Sequence, residues 1–257
     1  MKSKALLIGL NYEHVLNENV LEGCINDVQN VSILLRKFGF AKENIIMITD
    51  ENLDNAHQVT WTGIILELTK LCIASWKDDL DVVVFHYSGH GRQVKDWDGN
   101  EVDGLDEGLV PIDFKKYGII SDDVLNAIFR EFNPKTRILC IFDCCHSGSI
   151  LDLPYSYLDG HITQLEYTYE GPFILCMSAG RDGDVAGEVH KGKDTGAFTT
   201  YLIQELSALQ EISVFDLQAS INAHFVESGY DQLHVLSSSR KIDNALSVYK
   251  FLTNINL

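Results

Sequence analysis

The 257-residue chain sets 37 acidic side chains against 20 basic ones, for a formal net charge of -17, and 46% of its residues are hydrophobic. Such an acidic excess repels phosphate backbones and anionic lipid surfaces, so nucleic acid and membrane are excluded as expected partners, whereas cations and basic polypeptide segments are attracted. With four prolines and no stretch of low hydrophobicity, the chain is expected to fold throughout, as one domain over residues 1–257.

The first apolar run, Ala5–Leu10, reads as a buried strand and is too short for a signal-peptide core or a membrane span. After Gly23, the positions Cys24, Val28, Val31, Leu34, Leu35 and Phe38 recur at helical spacing. A second strand is expected at Asn44–Thr49, followed by a helix carrying Ile64, Ile65, Leu68, Leu71 and Cys72. The next strand is Asp81–Tyr87, and Ser121 is an N-cap for a helix with Val124, Leu125, Ile128, Phe129 and Phe132. Strands at Arg137–Asp143 and Pro172–Ser178 precede helical patterns over Ala197–Leu209 and Val214–Val226, with a late strand near Leu233–Ser237. Lys95–Asp113 and Gly180–Gly196 read as polar loops. Apolar runs alternating with helical patterns predict strands covered on both faces, in a mostly parallel sheet whose reactive groups gather at the carboxyl ends of the strands.

Two strand ends stand out. VVVFHYSGHG ends in a histidine, His90, whose flanking glycines let the backbone turn and approach a ligand. ILCIFDCCHSG ends in Asp143, Cys144, Cys145 and His146. A cysteine nucleophile needs an accessible sulfur, a nearby proton carrier and backbone donors for an oxyanion, and these loops supply all three. Alternation puts Asp143 and Cys145 on one side and Cys144 on the other, without deciding which thiol works. The remaining cysteines, 24, 72, 140 and 176, lie in a pattern with neither CxxC spacing nor disulfide-scaffold density; they read as reduced thiols, and the expected location is the cytoplasm.

Together the motifs resemble the metacaspases, caspase-like cysteine peptidases. HYSGHG matches the family's histidine and DCCHSG its nucleophile at Cys145, and LLIGLNY, EGCINDV, LVPIDF, ISDD, CHSGSILDLP and GAFTTYLIQEL follow in family order. The resemblance implies a caspase-like three-layer α/β/α sandwich with a mostly parallel central sheet. It implies a peptide hydrolase with a Cys145–His90 dyad, an oxyanion held by the amides of Gly91 and Cys145, and cleavage after arginine or lysine. The pocket for that residue maps onto Cys24, Asp27, Ser88 and Asp143, where two carboxylates favour a cation and penalise an aspartate. Calcium activation through Asp106, Asp122, Asp123 and Asp152 is implied as well, four carboxylates being a suitable donor set for a hard cation. A monomer acting on polypeptides is the implied state.

Bland readings compete with each of these. His86 lies within a strand and packs; His146 supports rather than reacts. Zinc at Cys144, Cys145 and His146 is disfavoured because adjacent cysteines do not wrap one ion, and a disulfide between them strains the peptide. An EF-hand pattern over Asp96, Asp98, Asn100 and Glu107 fails at Glu101, where glycine is needed. Asp103 and Asp106 can belong to a solvated acidic loop, and Asp122 and Asp123 can simply favour a helix N-terminus. The segment has no proline- or glutamine-rich prodomain ahead of its first strand. Arg92 stands where a small residue is expected and bears on specificity. Lys191 and Lys193, in an expected loop, are candidate self-cleavage sites. The alternative function is a non-catalytic regulatory or scaffolding member of the same fold.

Overall fold

The computed structural model describes residues 1–16, 18–51, 57–96, 104–158, 160–181, 187–191, 193–208 and 211–253. Asp98, Asn100, Glu101 and Asp103 lie outside the described residues, as do the side chains of Lys191 and Lys193.

Apolar runs build the main sheet: β1 (Ser3–Gly9), β2 (Ile45–Thr49), β3 (Val82–Ser88), β7 (Arg137–Asp143) and β10 (Phe173–Ser178). These pair in parallel in the order β2-β1-β3-β7-β10, and the eight-stranded sheet continues with antiparallel β13 (Val235–Ser238), β8 (Tyr155–Leu158) and β9 (His161–Gln164). Every residue of β3 and β7 is buried, as expected of strands covered on both faces. Strand β2 departs from that expectation, leaving Ile46 and Met47 exposed, because it ends the sheet order and has a neighbour on one side alone.

Alternation divides the side chains between two cores. Val82, Val84, Leu139 and Ile141 face the cluster that holds α1 (Cys24–Lys37), α5 (Ala197–Ala208), α6 (Val214–Ser228) and α7 (Val248–Thr253). Val83, Phe85, Ile138, Cys140 and Phe142 face α2 (Trp61–Lys77) and α4 (Asp122–Arg130). In that second core Phe85 meets Phe129 edge-on at 5.5 Å between ring centroids, a pair worth about 0.5–1.5 kcal/mol beyond its buried area. The result is the three-layer α/β/α sandwich. Ser121 caps α4, its hydroxyl accepting from the Val124 amide.

Two expected loops are instead strands. Within Lys95–Asp113, β5 (Leu105–Leu109) pairs with β4 (Gly91–Lys95) and β6 (Ile120–Ser121) in a small antiparallel sheet. The Gly180–Gly196 segment contains a hairpin of β11 (Glu188–Lys191) and β12 (Lys193–Gly196). Both carry charged residues and glycine with no apolar alternation, so they follow from tertiary support and not from a local pattern.

Candidate active site

Strands β3 and β7 are neighbours with Ser88 opposite Asp143, so the two loops that leave them start side by side. Their contact is close: a Cβ placed on Gly91 would lie 1.9 Å from the carbonyl oxygen of Cys145. Only a residue without a side chain fits there. The Gly89 amide donates to the Asp143 carbonyl at 3.3 Å, tying the loops a second time.

Alternation along β7 carries past its end. Cys144 enters the second core, 1% exposed, and burial raises its thiol pKa well above the ordinary value, with the charges of Cys145 and Asp143 adding to the shift. Cys145 is partly exposed and lines the same cavity as His90. Of the two adjacent thiols, Cys145 is the one exposed to that cavity.

His90 is oriented by a backbone carbonyl, of Asn19, and by two tyrosines, Tyr12 of LLIGLNY and Tyr87 of HYSGHG. Its Nε2 lies 2.7 Å from the Asn19 carbonyl, which only accepts, so Nε2 carries the proton and Nδ1 is the basic nitrogen. Its amide donates to Tyr12 Oη at 3.0 Å, its carbonyl accepts from Tyr87 Oη at 2.8 Å, and the Tyr12 ring lies 4.8 Å from the imidazole, tilted. Tyr12 is fully buried at φ 62°, and Asp50 accepts from the amides of Asn11 and Tyr12 to hold that turn. Asn19 is also left-handed, at φ 61°. The LLIGLNY segment contained the signal for Tyr12, but nothing local assigned it to the histidine.

Cys24, Asp27, Ser88 and Asp143 surround one small cavity with His90 and Cys145. Ser88 Oγ donates to Asp27 Oδ2 at 2.7 Å, the Gly196 amide reaches both Asp27 oxygens at 3.0 Å, and the Thr199 amide donates to Asp143 Oδ2 at 2.9 Å. The cavity is small, about 40 Å³, and Gly196 of β12 is among its lining residues. Strand β12 therefore covers the acidic floor. A larger cavity of about 580 Å³, between the β8–β9 hairpin and α6, shares no residue with it.

Of the four expected cation ligands, three converge. Oxygens of Asp106 on β5 and of Asp122 and Asp123 at the start of α4 lie within 4.8 Å of one another. Asp152 falls outside that group. It sits at φ 44° at the end of a turn closed by its amide on the Ser149 carbonyl, and lines a cavity with Ser149, Leu153 and Arg181. Asp122 is 1% exposed, and burial, reinforced by the charges of Glu107 and Asp106, pushes its carboxyl up to about 8. Concentrated, poorly solvated oxygen donors fit a hard cation, which would neutralise charge there. Glu107, which the sequence offered only as the last position of the rejected EF-hand pattern, is 1% exposed and touches this cluster through its amide on Asp122 Oδ2 at 2.7 Å.

Residues 3–154 match the family model for the metacaspase, peptidase C14 domain. Metacaspase-1A of Aspergillus fumigatus is 45% identical over 193 residues, 73% of this chain and 46% of that protein. Metacaspase-1 of Ajellomyces capsulatus is 41% identical over 191 residues, 72% of this chain and 52% of its own length. Among solved structures, a Geobacter sulfurreducens protein aligns with TM-score 0.68 at 22% identity, covering 97% of this chain and 98% of the other. The structure of pro-sf-caspase-1 aligns with TM-score 0.54 at 14% identity, covering 96% and 94%. The fold is thus caspase-like, and the chain belongs to the metacaspases, a family of cysteine-type peptidases. It spans about half the length of the curated relatives it matches.

Proposed function

We propose that this chain is a calcium-assisted cysteine endopeptidase that cleaves polypeptides after arginine or lysine, with Cys145 as nucleophile and His90 as its proton carrier. The observation that carries the reading is the packing of Gly91 against the Cys145 carbonyl, which holds an oriented imidazole beside a partly exposed thiol. His90 Nδ1 takes the Cys145 proton, and the thiolate adds to the scissile carbonyl while the Gly91 and Cys145 amides receive the oxyanion. Collapse expels the amine, which leaves with the proton from His90, and a thioester to Cys145 remains. Water then loses a proton to His90, adds to the thioester, and releases the acid with the thiol restored.

Asp27 and Asp143 supply the charge that would select a guanidinium or ammonium, once the β12 edge withdraws from them. Asp106, Asp122 and Asp123 would hold the calcium; its contribution is neutralisation of their charge and ordering of the surrounding backbone. Asp152 is proposed as a ligand only if the Ser149–Asp152 turn moves. Lys191 and Lys193 lie on the hairpin that covers the pocket, so self-cleavage there would loosen it.

The test is hydrolysis of paired fluorogenic peptides ending in arginine, lysine or aspartate, with calcium or chelator, by wild type and Cys145→Ala. Calcium-dependent release after arginine or lysine, absent in the variant, is the expected result. Release after aspartate alone would overturn the pocket, and equal rates in chelator would remove the calcium role. The covered pocket favours one second reading, a non-catalytic regulatory member of the family. An arginyl chloromethylketone that fails to label Cys145, with or without calcium, would select it.

A further inference from the structure

The loop that carries Cys145 is fastened to the element bearing the acidic cluster, and the fastening runs through side chains to which no role has been given. Ser149, four residues past the nucleophile, donates its hydroxyl to Glu107 Oε2 at 2.6 Å. Glu107 is fixed at its other oxygen by Gln93 Nε2 at 2.7 Å, and its amide is bound to Asp122 at 2.7 Å. The cluster's other element, α4, makes a second tie to the same loop: one turn along it, Asn126 Nδ2 donates to the Leu151 carbonyl at 2.6 Å. The loop itself needs such support, since His146 and Asp152 both hold left-handed backbone at φ 50° and 44°.

The geometry points to Glu107 and Ser149 as positioning residues: a strut that sets the conformation of the Cys145 loop and transmits the state of the Asp106–Asp122–Asp123 corner to it. The calcium half of this statement rests on the function proposed above. Glu107 joins the corner through its backbone: Asp106 precedes it on β5 and its own amide is held by Asp122, while alternation sends its buried side chain to the opposite face of the strand, where it receives the Ser149 hydroxyl. A cation that draws the three carboxylates together fixes the Asp122 oxygen that holds the Glu107 amide, and with it the position of the acceptor of the Ser149 hydroxyl. Ser149 is not one of the three clustered carboxylates, so its substitution leaves all three ligand side chains in the protein.

The experiment compares wild type, Ser149→Ala and Ser149→Thr in three readouts: calcium binding by calorimetry, the rate of Cys145 alkylation by iodoacetamide with and without calcium, and kcat against KM on an arginyl peptide. We expect Ser149→Ala to bind calcium within about threefold of wild type yet to lose calcium's effect on alkylation. Its kcat should fall about tenfold or more at little-changed KM, the scale on which groups that orient a reacting group act, and Ser149→Thr should restore both. A Ser149→Ala protein whose alkylation still responds to calcium as wild type does would overturn the coupling. If wild type binds no calcium, the calcium reading itself falls, and kcat then judges the strut. A drop in Ser149→Ala, reversed by Ser149→Thr, retains it as a positioning device, and an unchanged kcat removes it.

Discussion

Tyr12 shows how much of the histidine's placement depends on one buried hydroxyl. Its Oη accepts from the His90 amide and donates to the Val110 carbonyl at 2.7 Å, and lies 3.0 Å from Tyr87 Oη. Tyr12→Phe keeps the ring against His90 but leaves the buried amide short of a partner, a cost of about 1–3 kcal/mol. The expected outcome is a lowered denaturation midpoint together with a reduced kcat, read by urea unfolding and peptide hydrolysis on the same preparation. Gly91→Ala is more severe. Its methyl group would overlap the Cys145 carbonyl, so the two loops must part. Activity should vanish while circular dichroism of the sheet is retained, because the overlap lies beyond the strand ends. Retained activity would show that the loops are not packed against one another in the working enzyme.

At the scale of elements, α4 joins fold to site. Its N-cap, Ser121, sits directly before Asp122 and Asp123, and its amphipathic face buries Leu125 and Phe129. Ser121→Ala should cost about 1 kcal/mol through the lost cap, measured by chemical denaturation. Because fraying of the first turn moves the carboxylates, the proposed calcium site predicts weaker calcium binding by the same variant in calorimetry. Strand β12 acts at the other side of the cleft, where the Gly196 backbone closes the acidic floor. A Cβ on Gly196 would stand 2.1 Å from Asp143 Oδ2, so Gly196→Ala forces the strand away from the pocket or Asp143 out of place. If β12 is the cover, this variant should accept an arginyl active-site label faster than wild type. Slower labelling would assign Gly196 to the pocket's construction instead.

Across the whole molecule, two histidines tie stability to pH. His86 on β3 and His234 are fully buried; each gives Nδ1–H to a carbonyl, of Ile141 and Ser178 respectively, and burial lowers each pKa to about 4. The unfolded chain takes up these protons near the ordinary value of about 6.5, so stability is present above that pH and is lost as pH falls toward 4. Each contributes a slope of up to about 1.4 kcal/mol per pH unit within that window. His234→Gln should flatten the decline measured by denaturation at successive pH values; an unchanged slope would mean that His234 does not titrate there. Neither histidine lines the cavity of His90 and Cys145, although His86 lies four residues before His90.

The division between what was legible and what was not follows from the range of the forces involved. Strands β1, β3, β7 and β10 and helices α1, α2, α4, α5 and α6 were readable because apolar periodicity is local and the buried sheet demands it. The hairpins β8–β9 and β11–β12 were not: all of His161–Gln164 is exposed, β8 is anchored by pairing with the distant β13, and β12 by bonds from Asn26 and to Asp27 on α1. The glycine-flanked histidine and the DCCHSG turn were visible in the chain because chemistry restricts which residues can stand there. That Cys145 and not Cys144 faces the cleft, that the Asn19 carbonyl holds His90, that Asp152 stands apart from the other three aspartates, and that Glu107 reaches Ser149 were decided by tertiary structure alone. A backbone oxygen leaves no mark in a sequence, and a hydrogen bond across 42 residues has no local period to betray it.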